Sequence, residues 1–243
     1  MYKLFGNVFK HSSPARKEVC LGRSMIEMLG VLAIVGVLSV SGIAGYSKAM
    51  TKFKVNKTIQ QMAYIVSNIR TIFANERTYD GLEYSGDIDK AQRLLDLGII
   101  TAEMFTNQAI NGNDDMWTNM INPFNGGIWI NVNNPGEIEK KFVISYGGLN
   151  SEVCRELAVK DWTGLGVHNL GINGNDGDTI GWADDCDNNS DDTIDDGVND
   201  IILIACPKGK NVPIPVPPLL AAKACSVCQY YKYGCNILLG FSD

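Results

Sequence analysis

The chain has 243 residues, of which 45% are hydrophobic and 20% are charged, and this composition fits one medium-sized folded domain with an appended segment. The formal net charge is -6 at pH 7, and the acidic residues are concentrated in the last third. Contacts with nucleic-acid phosphates need clustered Lys and Arg side chains. We therefore expect no nucleic-acid partner.

The first predicted element is an apolar helix that is long enough to cross a membrane. The run from Met25 to Tyr46 carries a single charge, on Glu27. As a helix it would span about 33 Å, which is comparable with the hydrocarbon core of a bilayer. A cleaved secretory signal peptide would have a shorter apolar core without an acid. A plain signal anchor with an interfacial acid stays open as an alternative.

The residues at the start of this helix resemble a processing signal. The run from Gly22 to Glu27 reads GRSMIE, and the apolar helix follows directly. With this combination the chain resembles a type IV prepilin, and the length of the leader is typical of the type IVb subclass. The resemblance implies that a prepilin peptidase removes a leader, residues 1–22, by cutting between Gly22 and Arg23. It also implies N-methylation of Arg23.

The same resemblance gives a role to Glu27 and partners to the chain. Residues 23–50 would form the transmembrane and assembly helix, in which Glu27 pairs with the N-terminal amine of a neighbouring subunit. An unpaired acid is costly among apolar helices, and a cation relieves that cost. The implied partners are further copies of the chain in a helical homopolymer, the prepilin peptidase and the inner-membrane pilus assembly machinery. The implied location is the inner membrane before assembly and an extracellular surface filament afterwards.

Beyond residue 50 the apolar pattern becomes periodic. Apolar residues recur at steps of three and four, which is typical of one stripe along a helix: Val55, Ile59, Met62, Val66, Ile69 and Phe73. We therefore predict an amphipathic continuation of the helix over residues 51–78. This stripe should pack on a globular domain formed by residues 79–243.

The globular domain is predicted to combine helices with antiparallel strands. Asp87 is the predicted N-cap of a short helix, and Gly98 is the predicted end of that helix. Residues 128–132 and 141–146 form a predicted hairpin, because β-branched and aromatic residues lie between turn signals. Residues 201–205 are predicted to form a further strand.

Two further segments complete the predicted domain. Residues 150–157 are predicted to form a capped helix with Cys154 on its inner face. Four prolines predict an extended crossing segment that cannot be a central strand: Pro213, Pro215, Pro217 and Pro218. The turn at residues 122–127, NPFNGG, followed by a strand and a helical cysteine, resembles the globular half of type IVb pilins. The predicted fold class is α+β, with a long N-terminal helix packed on a C-terminal antiparallel β-sheet.

The cysteine pattern indicates an oxidising compartment. Six of the seven cysteines are clustered in the second half of the chain, and removal of residues 1–22 would take away Cys20 and leave an even number. We expect disulfides, in a pairing that the sequence leaves open, among Cys154, Cys186, Cys206, Cys225, Cys228 and Cys235. A zinc site on the last three of these would lack a fourth ligand.

The acidic stretch of residues 184–200 is partly similar to a calcium-binding EF-hand loop. Its ligand-type side chains are Asp185, Asp187, Asn189, Asp191 and Asp196. Ser190 stands where the loop needs a turn glycine, and Asp196 replaces the bidentate glutamate. We expect a solvated loop, with calcium binding as the alternative and no other cofactor.

The sequence does not indicate a catalytic site. His168 is the one histidine outside residues 1–22, and no convincing Ser/His/Asp set includes it. We expect a structural subunit of an extracellular type IV pilus-like filament, not an enzyme. A minor pilin and a type II secretion pseudopilin share the same signal and are alternatives. The alternative from another class is a signal-anchored extracytoplasmic binding domain.

Overall fold

The computed structural model describes residues 25–83, 86–113, 116–132, 140–174, 201–206, 212–230 and 234–242. The helices are α1 (Met25–Ile72), α2 (Ile88–Asp96), α3 (Ser151–Ala158) and α4 (Pro218–Cys225). The strands are β1 (Phe105–Asn113), β2 (Met116–Met120), β3 (Ile128–Val132), β4 (Lys141–Leu149), β5 (Val167–Asn173), β6 (Ile201–Ala205) and β7 (Cys235–Ser242). The chain divides after Ser47 into two compact units, and α1 contributes residues to both.

The second unit is built on an antiparallel sheet with β7 at its centre. The strand order is β3-β4-β7-β5-β6, and all of these pairings are antiparallel. Strands β1 and β2 form a separate two-stranded antiparallel sheet. The predicted α+β fold class is confirmed.

The part of α1 in the second unit packs into the core of that unit. Its buried residues lie along one face of the helix: Val55, Thr58, Gln61, Met62, Ile65, Val66 and Ile69. The apolar residues of this set share a hydrophobic cluster with aromatic residues of the sheet. In that cluster the rings of Phe142 and Phe241 stack at 4.7 Å, and Tyr79 meets Phe142 edge-on at 5.0 Å. Burial of each large apolar side chain contributes roughly 1.5 to 3 kcal/mol.

Helix α1 ends at Ile72, whereas the sequence pattern predicted helix through residue 78. The Phe73 carbonyl accepts a hydrogen bond from Lys140 Nζ at 2.7 Å. The same carbonyl also accepts a hydrogen bond from the Glu76 N–H at 3.1 Å, so a turn and a lysine side chain together satisfy it at the helix end. The chain then turns, and Tyr79 packs edge-on against Phe73 with ring centroids 5.4 Å apart.

The structure contains the short helices and the hairpin that the sequence predicts. Asp87 caps α2 by accepting a hydrogen bond from the Asp89 N–H at 2.9 Å, and Gly98 adopts a φ of +73° beyond the helix end. In the hairpin, Ile128 of β3 lies opposite Tyr146 of β4. Asn150 caps α3 through the Val153 N–H at 2.9 Å.

Two features of the domain differ from the sequence-based expectation. Strands β1, β2, β5 and β7 were not predicted, although β7 is the central strand of the larger sheet. The proline segment was predicted to be extended, but Pro218 begins α4. Proline is well accommodated in the first turn of a helix, because a backbone N–H there needs no helical partner.

Candidate assembly helix and its domain

Within the first unit, α1 exposes every side chain from Met25 to Ser47. Large aliphatic side chains are among them, with Leu38 exposed to 65% and Ile43 to 70%. By length and composition this helix could cross a membrane. An apolar surface that surrounds a helix is stable only in lipid or against other apolar protein surfaces.

Two serine side chains in this part of α1 are compatible with apolar surroundings. The hydroxyl groups of Ser39 and Ser41 donate to the carbonyls of Val35 and Val37, at 2.7 and 2.9 Å. Hydrogen bonds of this kind leave no hydroxyl donor to be satisfied by water. The glycines of this part have no neighbour within 4 Å of an added Cβ: Gly30, Gly36, Gly42 and Gly45. They leave room for close packing of a further helix.

Glu27 is the one charged residue between Met25 and Ser47, and it lies in the first turn of α1. The partial positive charge at a helix N-terminus favours a carboxylate at this position. Gly22 and Arg23, which complete the processing signal, lie outside the described residues. Cleavage, N-methylation and the pairing of Glu27 with a neighbour's amine therefore stay predictions.

In the second unit, an ion pair fastens the segment before β1 to α1. Lys57 Nζ lies 2.7 Å from Glu103 Oε2, and Gln61 Nε2 donates to Glu103 Oε1 at 3.4 Å. The hydrogen bond from Lys57 is the main cause of the lowered pKa of Glu103. The two charged side chains are 36% and 49% exposed, so solvent screens much of their attraction. Sequence reasoning missed this pair because the two residues lie far apart along the chain.

A cavity of about 580 Å³ opens beside this ion pair. It is lined by Phe53, Asn56, Lys57, Gln60, Gln61, Tyr64, Thr101, Glu103 and Met104. Among these lining residues, Phe53 is 62% exposed. The charged groups of this lining are those of Lys57 and Glu103, which are paired with each other.

The NPFNGG turn is organised by the buried side chain of Asn122. Its Nδ2 donates to the carbonyls of Gly127 at 3.3 Å and Gly147 at 2.8 Å. Its Oδ1 accepts from the backbone N–H groups of Phe124 at 2.8 Å and Gly126 at 3.1 Å. One amide thus satisfies backbone groups on both sides of the turn and on β4. The sequence identified the turn but not this role of its first residue.

The glycines of this turn are required by close approach. A Cβ on Gly126 would overlap the carbonyl oxygen of Gly147, and a Cβ on Gly127 would overlap the ring of Trp129. Both obstacles are buried and belong to the sheet. The turn therefore fixes where the chain enters β3.

One disulfide joins α3 to α4, and a second joins the 3-10 turn after α4 to β7. Cys154 on α3 pairs with Cys225 at the end of α4, and Cys228 pairs with Cys235 at the start of β7. Cys206 also forms a disulfide, while Cys186 lies outside the described residues.

The sulfur atoms of these two disulfides form one cluster. The Sγ atoms of Cys154, Cys225 and Cys228 all lie within 4.8 Å of one another, and the three residues are buried. Zinc binds cysteine as the thiolate. Sulfurs held in these disulfides do not supply that form. The residues of the predicted calcium site, 185 to 196, lie outside the described residues, so calcium binding stays a prediction.

Comparisons with known proteins place the chain in a family. A family model described as Bundlin matches residues 47–191, which is more than half of the chain. Among solved structures, the chain is similar to TcpA, a type IV pilin from Vibrio cholerae El Tor, with 13% identity and a TM-score of 0.43. That match covers 77% of this chain and 98% of the TcpA chain. No curated protein sequence matches.

The family match agrees with the prediction made from the prepilin-like signal, although it covers a different part of the chain. It begins at residue 47, so it rests on the globular domain and not on the apolar helix that carries the signal. Bundlin is a family of structural subunits and not of enzymes, and such pilins generally need no cofactor. This chain belongs to the Bundlin family of type IV pilins.

Proposed function

We propose that this chain is the repeating subunit of an extracellular filament, held together by packing of α1 between copies. The observation that carries the proposal is the exposed, predominantly apolar surface from Met25 to Ser47. A lipid bilayer can cover this surface before assembly, and the same surface of other copies can cover it afterwards. Both environments remove it from water, so transfer between them changes the hydrophobic free energy little.

The proposed route begins in the inner membrane. The prepilin peptidase cuts between Gly22 and Arg23, and the inner-membrane pilus assembly machinery then adds the subunit to the filament. The new amine at Arg23, with its predicted N-methylation, would meet Glu27 of a neighbouring copy. This pairing favours assembly because it relieves the cost of an unpaired carboxylate among apolar helices.

A substitution at Glu27 tests this proposal. Glu27→Gln keeps the size and polarity of the side chain and removes its charge. We expect normal insertion and cleavage, but a decrease of at least about tenfold in filament sheared from the cell surface, because each assembled contact would lack an ion pair in an apolar phase. Ser39→Ala is the matched control, because the Ser39 hydroxyl is satisfied within its own helix. It should leave the filament yield unchanged.

The N-terminus of the sheared protein separates this proposal from a signal-anchored binding domain. A processed pilin begins at Arg23, and Gly22→Ala should retain the leader and leave unassembled protein in the membrane. A signal anchor would keep Cys20 and would not be recovered in sheared material. Wild-type filament yield from both Glu27→Gln and Gly22→Ala would refute the proposed assembly route.

A further inference from the structure

We propose that Cys228 can exchange partners, moving from its disulfide with Cys235 to the neighbouring Cys154–Cys225 disulfide. The cross-link between α3 and α4 would then be a redox-sensitive switch. The inference rests on the positions of the sulfur atoms and does not depend on filament assembly.

The positions of the sulfurs make the exchange intramolecular. Cys228 Sγ lies within 4.8 Å of both Sγ atoms of the Cys154–Cys225 disulfide. Thiol–disulfide exchange needs a thiolate that can reach a disulfide sulfur, and a small rotation of a side chain provides the remaining approach. Cys225 and Cys228 are also separated by two residues, the spacing of Cys-x-x-Cys redox pairs.

The segment that carries Cys228 is the part of this cluster best placed to open. Cys154, Cys225 and Cys235 belong to α3, α4 and β7, whereas Cys228 lies in the short 3-10 turn Ser226–Tyr230. The two residues that follow Cys228 are Gln229 and Tyr230. Both are exposed, Tyr230 to 79%. A short turn with few buried side chains opens more readily than a packed helix or a central strand. Because Cys228 and Cys235 are buried, a reductant would reach their disulfide when this turn opens.

The reaction proceeds in two balanced steps. A dithiol reductant of the thioredoxin class reduces the Cys228–Cys235 disulfide and is itself oxidised to a disulfide, which leaves thiols at Cys228 and Cys235. The Cys228 thiolate then attacks Cys225 Sγ. The Cys225–Cys228 bond forms, the Cys154–Cys225 bond breaks, and Cys154 leaves as a thiolate that takes up the proton released by Cys228. The second step involves no net oxidation or reduction.

The exchange changes what holds α3. In the starting state a disulfide across a sequence separation of 71 residues joins α3 to α4. In the product, the bond lies inside residues 225–228, and α3 has lost its covalent link to α4. The reductant thus reduces the Cys228–Cys235 disulfide, whereas the helix that is released is α3, which the Cys154–Cys225 disulfide had held.

The test uses the full chain with Cys235→Ala, purified in detergent. This variant places a Cys228 thiol beside an intact Cys154–Cys225 disulfide without any reductant. After incubation, acid quenches the exchange, all thiols are alkylated under denaturing conditions, and the protein is digested with trypsin. Cleavage after Lys and Arg places Cys154 in the peptide 142–155 and both Cys225 and Cys228 in the peptide 224–232.

The two states then differ in mass. Without exchange, peptide 142–155 is disulfide-linked to peptide 224–232, which carries one alkyl group. After exchange, peptide 224–232 contains an internal disulfide, and peptide 142–155 is alkylated at Cys154. We expect both species, with an exchange rate that rises about tenfold per pH unit below the pKa of the attacking thiol, because the thiolate is the nucleophile. Hydrogen exchange in α3 should rise together with the exchanged species.

The control is Cys228→Ala, which removes the exchanging sulfur and should give only the Cys154–Cys225 link with Cys235 alkylated. If Cys235→Ala does not fold, the wild-type chain treated with one equivalent of dithiothreitol decides the question by the same digest. An internal disulfide in peptide 224–232 supports the proposal. Its absence from both samples at about pH 8.5, where a large share of an ordinary thiol is ionised, would overturn it.

Discussion

Substitution of Asn122 by alanine should destabilise the domain more than its location in a turn would suggest. The Asn122 side chain is only 3% exposed and makes four hydrogen bonds to backbone groups. A typical net contribution is about 1 kcal/mol for each hydrogen bond. Full loss would therefore cost about 4 kcal/mol.

The loss is partly compensated. The Gly127 carbonyl also accepts a hydrogen bond from the Gly147 N–H at 2.9 Å, so this acceptor remains satisfied in the variant. The Gly126 N–H and the Gly147 carbonyl both lose their bond to Asn122, and both residues are buried. We therefore expect a decrease of about 3 kcal/mol in the free energy of unfolding. For a domain of this size, that corresponds to a decrease of about 6 to 12 °C in Tm.

Thermal unfolding of the full chain in detergent, followed by near-ultraviolet circular dichroism, measures this difference. Asn125→Gly is the matched control in the same turn. The Asn125 side chain is exposed, and its backbone has a φ of +63°, which glycine adopts readily. This control should change the free energy of unfolding by less than about 0.5 kcal/mol. Equal Tm values for the two variants would refute the assigned role of Asn122.

Three other substitutions, the last with a matched control, have expected results of different sign or size. Tyr146→Phe should raise Tm by about 1 to 3 °C, because burial raises the pKa of the phenol and its hydroxyl has no partner among the described residues. Lys57→Met should lower the free energy of unfolding at pH 7 by less than about 1 kcal/mol, because the ion pair with Glu103 is half exposed. Since the folded-state pKa of Glu103 lies below its ordinary value of 4.5, this difference should vanish as the pH falls through the lowered pKa, which thermal scans in acid would show. Gly126→Ala should destabilise by more than about 4 kcal/mol through overlap with a backbone carbonyl, whereas Gly164→Ala, which meets no atom within 4 Å, should be neutral in the same scans.

The local elements that the sequence predicted correctly are those with strong local signals. The N-caps Asp87 and Asn150 and the β-branched residues of β3 all act within a few residues of themselves. The central strand β7 was missed because its signal is not local. It contains Gly240, whose added Cβ would overlap the side chain of Asn169 on β5. This glycine weakens the strand pattern in sequence, yet the sheet requires it.

The residues of the candidate sites show the same difference between local and non-local signals. Glu27 could be identified because the apolar run around it makes its charge conspicuous. The contact between Lys57 and Glu103 could not, since it depends on how a connector folds back onto α1. The cysteine pairing was also open in sequence, because it depends on α3 and α4 lying side by side next to the start of β7. These contacts between segments that lie far apart along the chain could thus not be predicted from the sequence.

The two parts of α1 should respond independently to substitution, because they are stabilised by different surroundings. Residues 25–47 are exposed within their own unit, whereas Met62, Ile65 and Ile69 are fully buried in the core of the second unit. Glu27→Gln should therefore lower filament yield and leave the Tm of the domain unchanged to within about 1 °C, because Glu27 belongs to the first unit and not to the buried core of the second. Asn122→Ala should lower Tm in the detergent-solubilised monomer, where no filament contact exists. A large fall in monomer Tm from Glu27→Gln would show that the first unit stabilises the domain, and its effect on filament yield could then no longer be assigned to assembly.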